Sequence, residues 1–174
     1  AVTSTTGKML VVFISDYSNT SQGFSASYTA TGVPLCATSN QLFNSDYGYI
    51  SDGSGTSSYC NNTSCQWLIQ PPQATSVTLN FTEFDLEGAS PDGNTVYDVV
   101  EVYDGTTVTS PLLGRFYGNQ VPSSITSSSG AMLVVFRTDL TVTKNGWAAY
   151  YTSTQTPHCT AGNILTAQTG TITE

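Results

Sequence analysis

A dense run of acidic residues between Phe81 and Gly105 is the feature of the sequence that most directly suggests chemistry. The charged fraction of the chain is only 9%, yet seven of its 12 Asp and Glu residues fall in this stretch. They are Glu83, Asp85, Glu87, Asp92, Asp98, Glu101 and Asp104. Carboxylates this close repel one another unless they are spread over solvent or share a cation. The run therefore predicts a cation site, with a solvated acidic rim as the alternative.

Strand-like alternation on both sides of a turn-rich connection, residues 88–94, indicates how these carboxylates are positioned. The apolar residues of each flanking segment share one face, Val77, Leu79 and Phe81 in the first and Val100 and Val102 in the second. Glu87 and Asp98 then lie where strands run into loops, which is where metal-binding oxygens are usually presented.

The composition indicates an all-β chain of one large domain or somewhat more. Of 174 residues, 39% are hydrophobic and 11% aromatic, which is enough for a packed core. Ser, Thr, Gly and Tyr are abundant, whereas Glu and Lys, which long helices favour, are scarce.

The charge balance excludes two classes of partner. The formal net charge is −8 and the pI is about 4.1, with only Lys8, Arg115, Arg137 and Lys144 to meet phosphates. We therefore expect neither nucleic acid nor an anionic membrane as partner. Apolar runs such as 131–136 fall far short of the roughly 20 residues that a membrane span needs. The start of the sequence lacks the regions of a signal peptide, so we expect it to begin after processing or inside a longer polypeptide.

Cysteines and glycosylation sequons together indicate a secreted glycoprotein. The cysteines are even in number, at positions Cys36, Cys60, Cys65 and Cys159. Sequons begin at Asn19, Asn61, Asn62 and Asn80. Asn80 alternates outward from the apolar face of its strand, so a glycan there would be sterically allowed.

An internal repeat organises the chain. Met9–Ala30 and Met132–Ser153 align without a gap at an offset of 123 residues, and 11 of the 22 positions are identical. Phe24 matches Trp147, and the same offset carries Cys36 to Cys159.

The repeat predicts one complete domain between two partial ones. Residues 1–31 are the end of one repeat, 36–153 form a whole repeat, and 159–174 open a third. Within the whole repeat, turn signals separate seven strand candidates, at 47–50, 66–69, 76–84, 98–103, 112–116, 132–137 and 146–152. Many short strands with little helix predict a β-sandwich or barrel.

Between Cys36 and Thr152 the chain resembles a CUB domain. The matching pieces stand in the family's order: Cys36, Gly48–Gly53, Cys65–Ile69, Pro71–Pro72, Phe84–Glu87, Tyr97–Gly105, Leu112–Gly118, Pro122–Ser127, Leu133–Asp139 and Gly146–Tyr151. The resemblance implies an all-β jelly-roll sandwich of two antiparallel sheets, flanked by partial repeats of the same fold. It also implies an extracellular, non-catalytic module that binds proteins or glycans.

The calcium-binding branch of that family implies a ligand set. Its acidic positions correspond to Glu87, Asp98 and Asp139, with Thr141 where a Ser often contributes an oxygen. Calcium prefers six to eight oxygen ligands, which these groups, backbone carbonyls and water can supply. The sequence departs from the pattern at Val142, where an Asn is usual, and in a longer loop between Glu87 and Asp98.

The resemblance also implies a disulfide between Cys36 and Cys65. The positions of the family's second bridge are occupied by Thr95 and Tyr117, so that bridge is absent. Cys60 and Cys159 remain, and they pair with each other only if both partners lie in one chain. The repeat instead directs Cys159 to a cysteine beyond Glu174. A zinc site of His158 with Cys159, Cys60 and Cys65 is the weaker alternative in a secreted β-protein.

Catalysis finds little support in the sequence. With one histidine, in a linker, the chain offers no Ser–His–Asp or Cys–His arrangement. Glu87 and Asp98 can be drawn as a glycosidase pair, but a third nearby carboxylate favours a cation. Trp67 and Trp147 are expected in the core rather than on a sugar-binding platform.

Three functions remain open from sequence. The first is a slice of a tandem array, structural or filamentous, that assembles with copies of itself or neighbouring repeats through strand edges and calcium-stabilised loops. The second is a calcium-dependent adhesion or receptor module that binds a Lys or Arg of a partner, or a glycan. The third is an accessory domain of a larger secreted enzyme. The repeat favours the array.

Overall fold

The computed structural model describes residues 40–156 and, before them, residues 2–3, 9, 11–14, 18, 21–24 and 26. The described part contains nine strands and no helix long and apolar enough to cross a membrane. The strands are β1 (Asn40–Phe43), β2 (Tyr47–Ser51), β3 (Ser64–Ile69), β4 (Ala74–Asp85), β5 (Val99–Asp104), β6 (Leu112–Phe116), β7 (Ile125–Ser127), β8 (Met132–Arg137) and β9 (Gly146–Gln155).

The strands form two sheets, which confirms the predicted all-β sandwich. One sheet has the order β1-β3-β8-β5-β6 and the other β2-β9-β4-β7. One pairing departs from the antiparallel arrangement, because β1 at the edge of the first sheet pairs with β3 in parallel. The chain leaves the first sheet after β1, runs through β2 in the second sheet and returns as β3 in its original direction.

The two sheets enclose an aromatic core that follows from the alternation along each strand. Trp67 on β3 and Trp147 on β9 are each 2% exposed, and their rings meet edge-to-face with centroids 4.9 Å apart. Phe81 and Phe136 pack against the same indole of Trp147, with ring centroids 5.8 and 6.2 Å from it. The prediction that both tryptophans fill the core is confirmed.

Two strands were missed by the sequence pattern, and both lie at sheet edges. β1 begins with the polar residues Asn40 and Gln41, and β7 has only three residues in a Ser/Thr-rich stretch. Cross-strand contacts hold β7 in place, including a hydrogen bond of 3.0 Å between the hydroxyls of Thr78 and Thr126. Neither strand has enough alternating apolar residues to be seen without its partner.

Asp104, at the end of β5, ties that strand to the turn between β7 and β8. Its carboxylate accepts hydrogen bonds from the Ser127 hydroxyl, the Ser128 backbone and hydroxyl, and the Ser129 backbone, at 2.7–3.0 Å. Burial raises the pKa of this carboxyl, but the hydrogen bonds outweigh burial and hold the pKa well below its usual range.

Replacing Asp104 with alanine is expected to lower the free energy of unfolding at pH 7 by about 2 kcal/mol, because several charge-assisted hydrogen bonds are lost. A carboxyl whose pKa is lower in the folded than in the unfolded state stabilises the fold fully at pH values above its unfolded pKa of about 3.9. This contribution is lost progressively as the pH falls below that value. The deficit of the variant should therefore shrink as the pH falls below about 4. Denaturant unfolding across this pH range measures the deficit. The control is Glu83→Ala, which removes an exposed carboxylate on β4. A deficit that does not change with pH would contradict the assignment.

Several predicted features lie outside the described residues. They are Cys36, Cys159, His158, Lys8, the sequon at Asn19 and the segment 159–174. The cysteine pairing and the opening of a third repeat therefore stay predictions.

Candidate metal centre

Three strand ends bring three carboxylates to one end of the sandwich. Antiparallel pairing of β5 with β8 sets Val99 opposite Arg137. Asp98, which precedes β5, and Asp139, which follows β8, are thereby placed at the same end. Glu87 arrives there two residues after the end of β4. The structure thus assembles the cluster from residues distant in sequence.

The carboxylates of Glu87, Asp98 and Asp139 are close enough to share one cation. One oxygen from each lies within 4.8 Å of the others. Asp98 is fully buried, with 0% of its surface exposed, whereas the other two are partly exposed. No other such group of His, Cys, Asp and Glu occurs among residues 40–156 or the described residues before them.

Backbone and hydroxyl donors fix the orientation of the cluster. Tyr59, 2% exposed, donates its hydroxyl hydrogen bond to Asp98 Oδ2 and accepts one from the Glu87 backbone N–H at 3.0 Å. The Asp139 backbone N–H donates to Asp98 Oδ1 at 2.9 Å, and the Asn62 N–H donates to the Asp139 carbonyl at 2.5 Å. Asp98 is therefore the hub that joins the loops around it.

Tyr59 was not recognised as a site residue from sequence. The only available signal is that it is the sole aromatic residue in the Ser/Gly-rich stretch 53–62. Its role depends on how the connection between β2 and β3 crosses the end of the sandwich.

The electrostatics of the cluster are those of mutually repelling acids. Burial raises the pKa of Glu87, the charges of Asp139 and Asp98 raise it further, and Lys144 opposes them. Burial also raises the pKa of Asp98, although the hydrogen bonds from Tyr59 and the Asp139 backbone partly offset the effect. The pKa of the Tyr59 hydroxyl is raised by burial and by its hydrogen bond to Asp98. The protein thus concentrates negative charge that a cation would neutralise.

The donor set fits a hard divalent cation. Glu87 Oε2 is buried and has no hydrogen-bond partner among the described residues, so it is free to bind a ligand. All three side chains offer oxygen, as calcium prefers, rather than the nitrogen and sulfur typical of zinc.

Thr141, in the loop after β8, contacts a member of the cluster, and Val142 follows it in the same loop. Thr141 is exposed, and its N–H donates to Asp139 Oδ1 at 2.8 Å. The ligand role of its hydroxyl stays a prediction. Val142 has a φ of 56°, a left-handed conformation that is unfavourable for a β-branched residue.

Replacing Val142 with asparagine is expected to raise the free energy of unfolding by about 1 kcal/mol, because asparagine tolerates the left-handed region. Denaturant unfolding in the presence of a chelator isolates this backbone effect from any new metal ligand. Leu140→Asn, two residues earlier in the same exposed loop, should give no such gain. Equal effects of the two substitutions would argue against strain at position 142.

The other acidic residues of the run have different partners. Glu101 pairs with Arg137 and, at 3.4 Å, with Arg115 on the outer face of the five-stranded sheet. Asp92 accepts hydrogen bonds from Ser90 and Asn94 within its own loop, which lower its pKa to about 2. Glu87 and Asp98 of the run therefore converge with Asp139 from outside it, whereas Glu101 and Asp92 have structural partners of their own.

Comparisons with known proteins agree with this fold. The CUB domain family model matches residues 36–151. Cubilin from Sus scrofa is 37% identical over 127 residues, covering 73% of this chain and 3% of cubilin. Neuropilin-1 from Rattus norvegicus is 33% identical over 151 residues, covering 84% of this chain and 16% of neuropilin-1.

A solved structure extends the similarity to a metal-bound relative. The MASP-1 CUB2 domain, whose crystal structure is described as bound to Ca²⁺, has a TM-score of 0.54 and 26% identity. The match covers 64% of this chain and 96% of the MASP-1 domain. The full extracellular region of zebrafish Gpr126/Adgrg6 has a TM-score of 0.58 at 26% identity, covering 69% of this chain and 15% of that one.

The chain belongs to the CUB family, and its fold is that of an extracellular β-sandwich module. It spans only a small part of the cubilin and neuropilin-1 chains that it matches.

Proposed function

We propose that this chain is part of a non-enzymatic extracellular protein of tandem CUB repeats, whose complete domain binds Ca²⁺ and uses the calcium-ordered loops to contact a protein partner. The observation that carries the proposal is the convergence of Glu87, Asp98 and Asp139 within 4.8 Å, with a buried and unpaired Glu87 oxygen. The relative described as bound to Ca²⁺ supports it.

Calcium would supply neutralising charge and a link between loops. Burial and then the charges of Asp139 and Asp98 raise the pKa of Glu87, and with the ion bound the repulsion among these carboxylates would be replaced by attraction to a shared cation. The connections around Tyr59, Asp98 and Asp139 would then be ordered as one surface. Thr141, next to Asp139, is the proposed source of a further oxygen.

Titration of the chain with Ca²⁺ tests the site directly. Calorimetry should detect binding of one ion, and Tm should rise with calcium concentration by mass action. Mg²⁺ is the matched control, because it requires a smaller and near-octahedral shell and gives up water reluctantly. Absence of heat and of any Tm change at millimolar Ca²⁺ would overturn the proposal.

The partner proposed for the calcium-ordered end is a basic side chain of another protein. The chain has a net charge of −8, and the cluster keeps more negative charge than one divalent ion removes. An immobilised lysine-rich peptide is a suitable probe. Binding should require Ca²⁺ and be lost with a chelator, whereas chelator-insensitive binding would contradict calcium-dependent capture.

The tandem organisation is supported by described residues before the complete domain. Phe13 and Phe24 have ring centroids 5.6 Å apart, and their counterparts at the 123-residue offset, Phe136 and Trp147, are 6.2 Å apart. Gly23, which matches Gly146, shares its positive φ, 75° against 91°. The first pair is 65% and 62% exposed, whereas the second is 1% and 2% exposed. We infer that the first pair belongs to the core of another repeat.

A longer chain that includes one preceding repeat tests this organisation. Phe24→Ala should destabilise that longer chain as strongly as a core truncation does, because the ring would then be buried. In the 174-residue chain the same substitution should be nearly silent. Equal, small effects in both chains would contradict the tandem arrangement.

Assembly through strand edges is the proposed route to a filament. Among the described strands, the sheets end at β1 and β6 and at β2 and β7, and such edges can pair with other chains. The exposed apolar residues Val11, Val12 and Ile14 add surface that strand pairing would cover. Light scattering coupled to size-exclusion chromatography should show concentration-dependent oligomers, and a strictly monomeric chain would contradict strand sharing.

A further inference from the structure

The outer face of the four-stranded sheet carries an exposed aromatic row beside a glycosylation sequon. Register places Asn80 on β4 directly opposite Tyr150 on β9, and Tyr150 directly opposite Tyr49 on β2. Side chains directly opposite one another on one face of a sheet lie about 5 Å apart at Cβ. The three residues therefore form one continuous row across three strands.

Both tyrosines of this row face solvent. Tyr150 is 46% exposed and Tyr49 is 59% exposed, although neighbouring residues of the same strands fill the core. Asn80 lies on the opposite face of β4 from the fully buried Val77 and Leu79, and it is itself partly exposed. Exposed aromatic rings in a row are apolar surface that a ligand with a flat apolar face can cover.

Asn80 begins the sequon Asn80-Phe81-Thr82, and the chain is a member of an extracellular family. On the other side of Asn80, the pairing of β4 with the short strand β7 ends at Leu79 and Ile125, one residue before Asn80. A glycan on Asn80 therefore has the exposed rings of Tyr150 and Tyr49 within reach.

We propose that Asn80 is N-glycosylated and that the first sugars of the glycan pack across the rings of Tyr150 and Tyr49. The apolar C–H face of an N-acetylglucosamine ring is suited to an aromatic surface. Covalent attachment makes the contact intramolecular, so it avoids the entropy cost that a free sugar would incur on binding. The glycan thereby becomes part of the fold, covering the outer face of the four-stranded sheet.

This assignment has a consequence for the partner surface. A glycan over the row would also shield the adjoining shallow pocket, of about 260 Å³, which Tyr49, Ser51, Glu83 and Ala148 help to line. Protein contacts would be directed to the carboxylate end or to the five-stranded sheet. The proposal does not depend on calcium binding.

A thermodynamic cycle on the full 174-residue chain, secreted from eukaryotic cells, tests the proposal. The variants are Asn80→Gln, Tyr150→Thr and both together, since threonine keeps strand propensity while removing the ring. Thr82→Ser, which keeps the Asn80 sequon, is the matched control for substitution within it. Peptide mass spectrometry establishes occupancy of Asn80, and Tm is measured for each chain.

We expect an occupied Asn80 and a fall in Tm of about 3 °C for Asn80→Gln, but no such fall when Tyr150→Thr is already present. Upfield-shifted sugar protons in NMR spectra of the glycosylated chain would show ring contact independently. An unmodified Asn80, or the same loss of Tm with and without the Tyr150 ring, would overturn the proposal. A third result would also overturn it: free oligosaccharides bind to the unglycosylated chain, and Tyr150→Thr abolishes that binding. The aromatic row would then bind an external sugar.

Discussion

Replacing Asp98 with asparagine is expected to lower the affinity for Ca²⁺ by at least about 100-fold. Asp98 is the fully buried member of the triad and holds the Tyr59 hydroxyl and the Asp139 backbone in place. Substituting groups that merely orient metal ligands typically lowers metal affinity 10–100-fold, so loss of a charged group that contacts the metal should lower it further. Calorimetric titration measures the affinity of both chains.

The stability of the same variant should separate ligand loss from misfolding. At 100 times Kd, calcium bound at the proposed site should add about 2.7 kcal/mol to the stability of the unsubstituted chain, or roughly 5–10 °C in Tm. That increment should vanish in Asp98→Asn. Without calcium the variant should keep its fold, because one of three repelling charges has been removed.

Asp92→Asn is the matched control for this experiment. It removes a carboxylate from the loop that leads to Asp98, but Asp92 bonds only within that loop and stands outside the triad. It should leave calcium affinity unchanged. If the two variants lost affinity equally, general surface charge rather than a defined site would bind the ion.

Replacing Trp147 with alanine is expected to cost about 3–5 kcal/mol of the free energy of unfolding. The indole is 2% exposed and lies edge-to-face against Trp67, with Phe81 and Phe136 around it. Its removal leaves a large cavity between the sheets. Denaturant unfolding with a two-state analysis measures the loss.

Two further variants make that measurement specific. Phe24→Ala, at the matching position of the repeat, removes a ring that is 62% exposed and should change stability by no more than about 0.5 kcal/mol. Trp147→Phe should cost much less than alanine, because it keeps an aromatic ring and removes Nε1, which is buried without a partner in the described part. A large effect of Phe24→Ala in the present chain would show that this ring is already packed.

The strand framework and two of the three acidic positions could be predicted from local pattern. Alternation around Glu87 and Asp98 fixes where β4 ends and β5 begins, and strand ends are where side chains gather. The approach of Asp139 depends on the pairing of β5 with β8, which no local pattern encodes. Its inclusion came from resemblance to a family.

Features that depend on tertiary packing could not be predicted. Tyr59 lies in a stretch that reads as turns, and only the folded connection between β2 and β3 brings its hydroxyl to Asp98. β7 has three residues and exists because β4 offers it a partner. Thr141 is expected as a ligand from the family pattern, and the distance of its hydroxyl from the triad is fixed by a loop rather than by sequence spacing.

The pairing of Glu101 with Arg115 and Arg137 has a kinetic consequence. The single carboxylate offsets one of the two arginine charges, and the chain as a whole keeps a net charge of −8, so a negative field surrounds the molecule. Such a field accelerates the approach of cationic molecules over distances of a Debye length, about 10 Å at 0.1 M salt. Association rates with a basic protein should consequently fall steeply as ionic strength increases, while dissociation rates change much less.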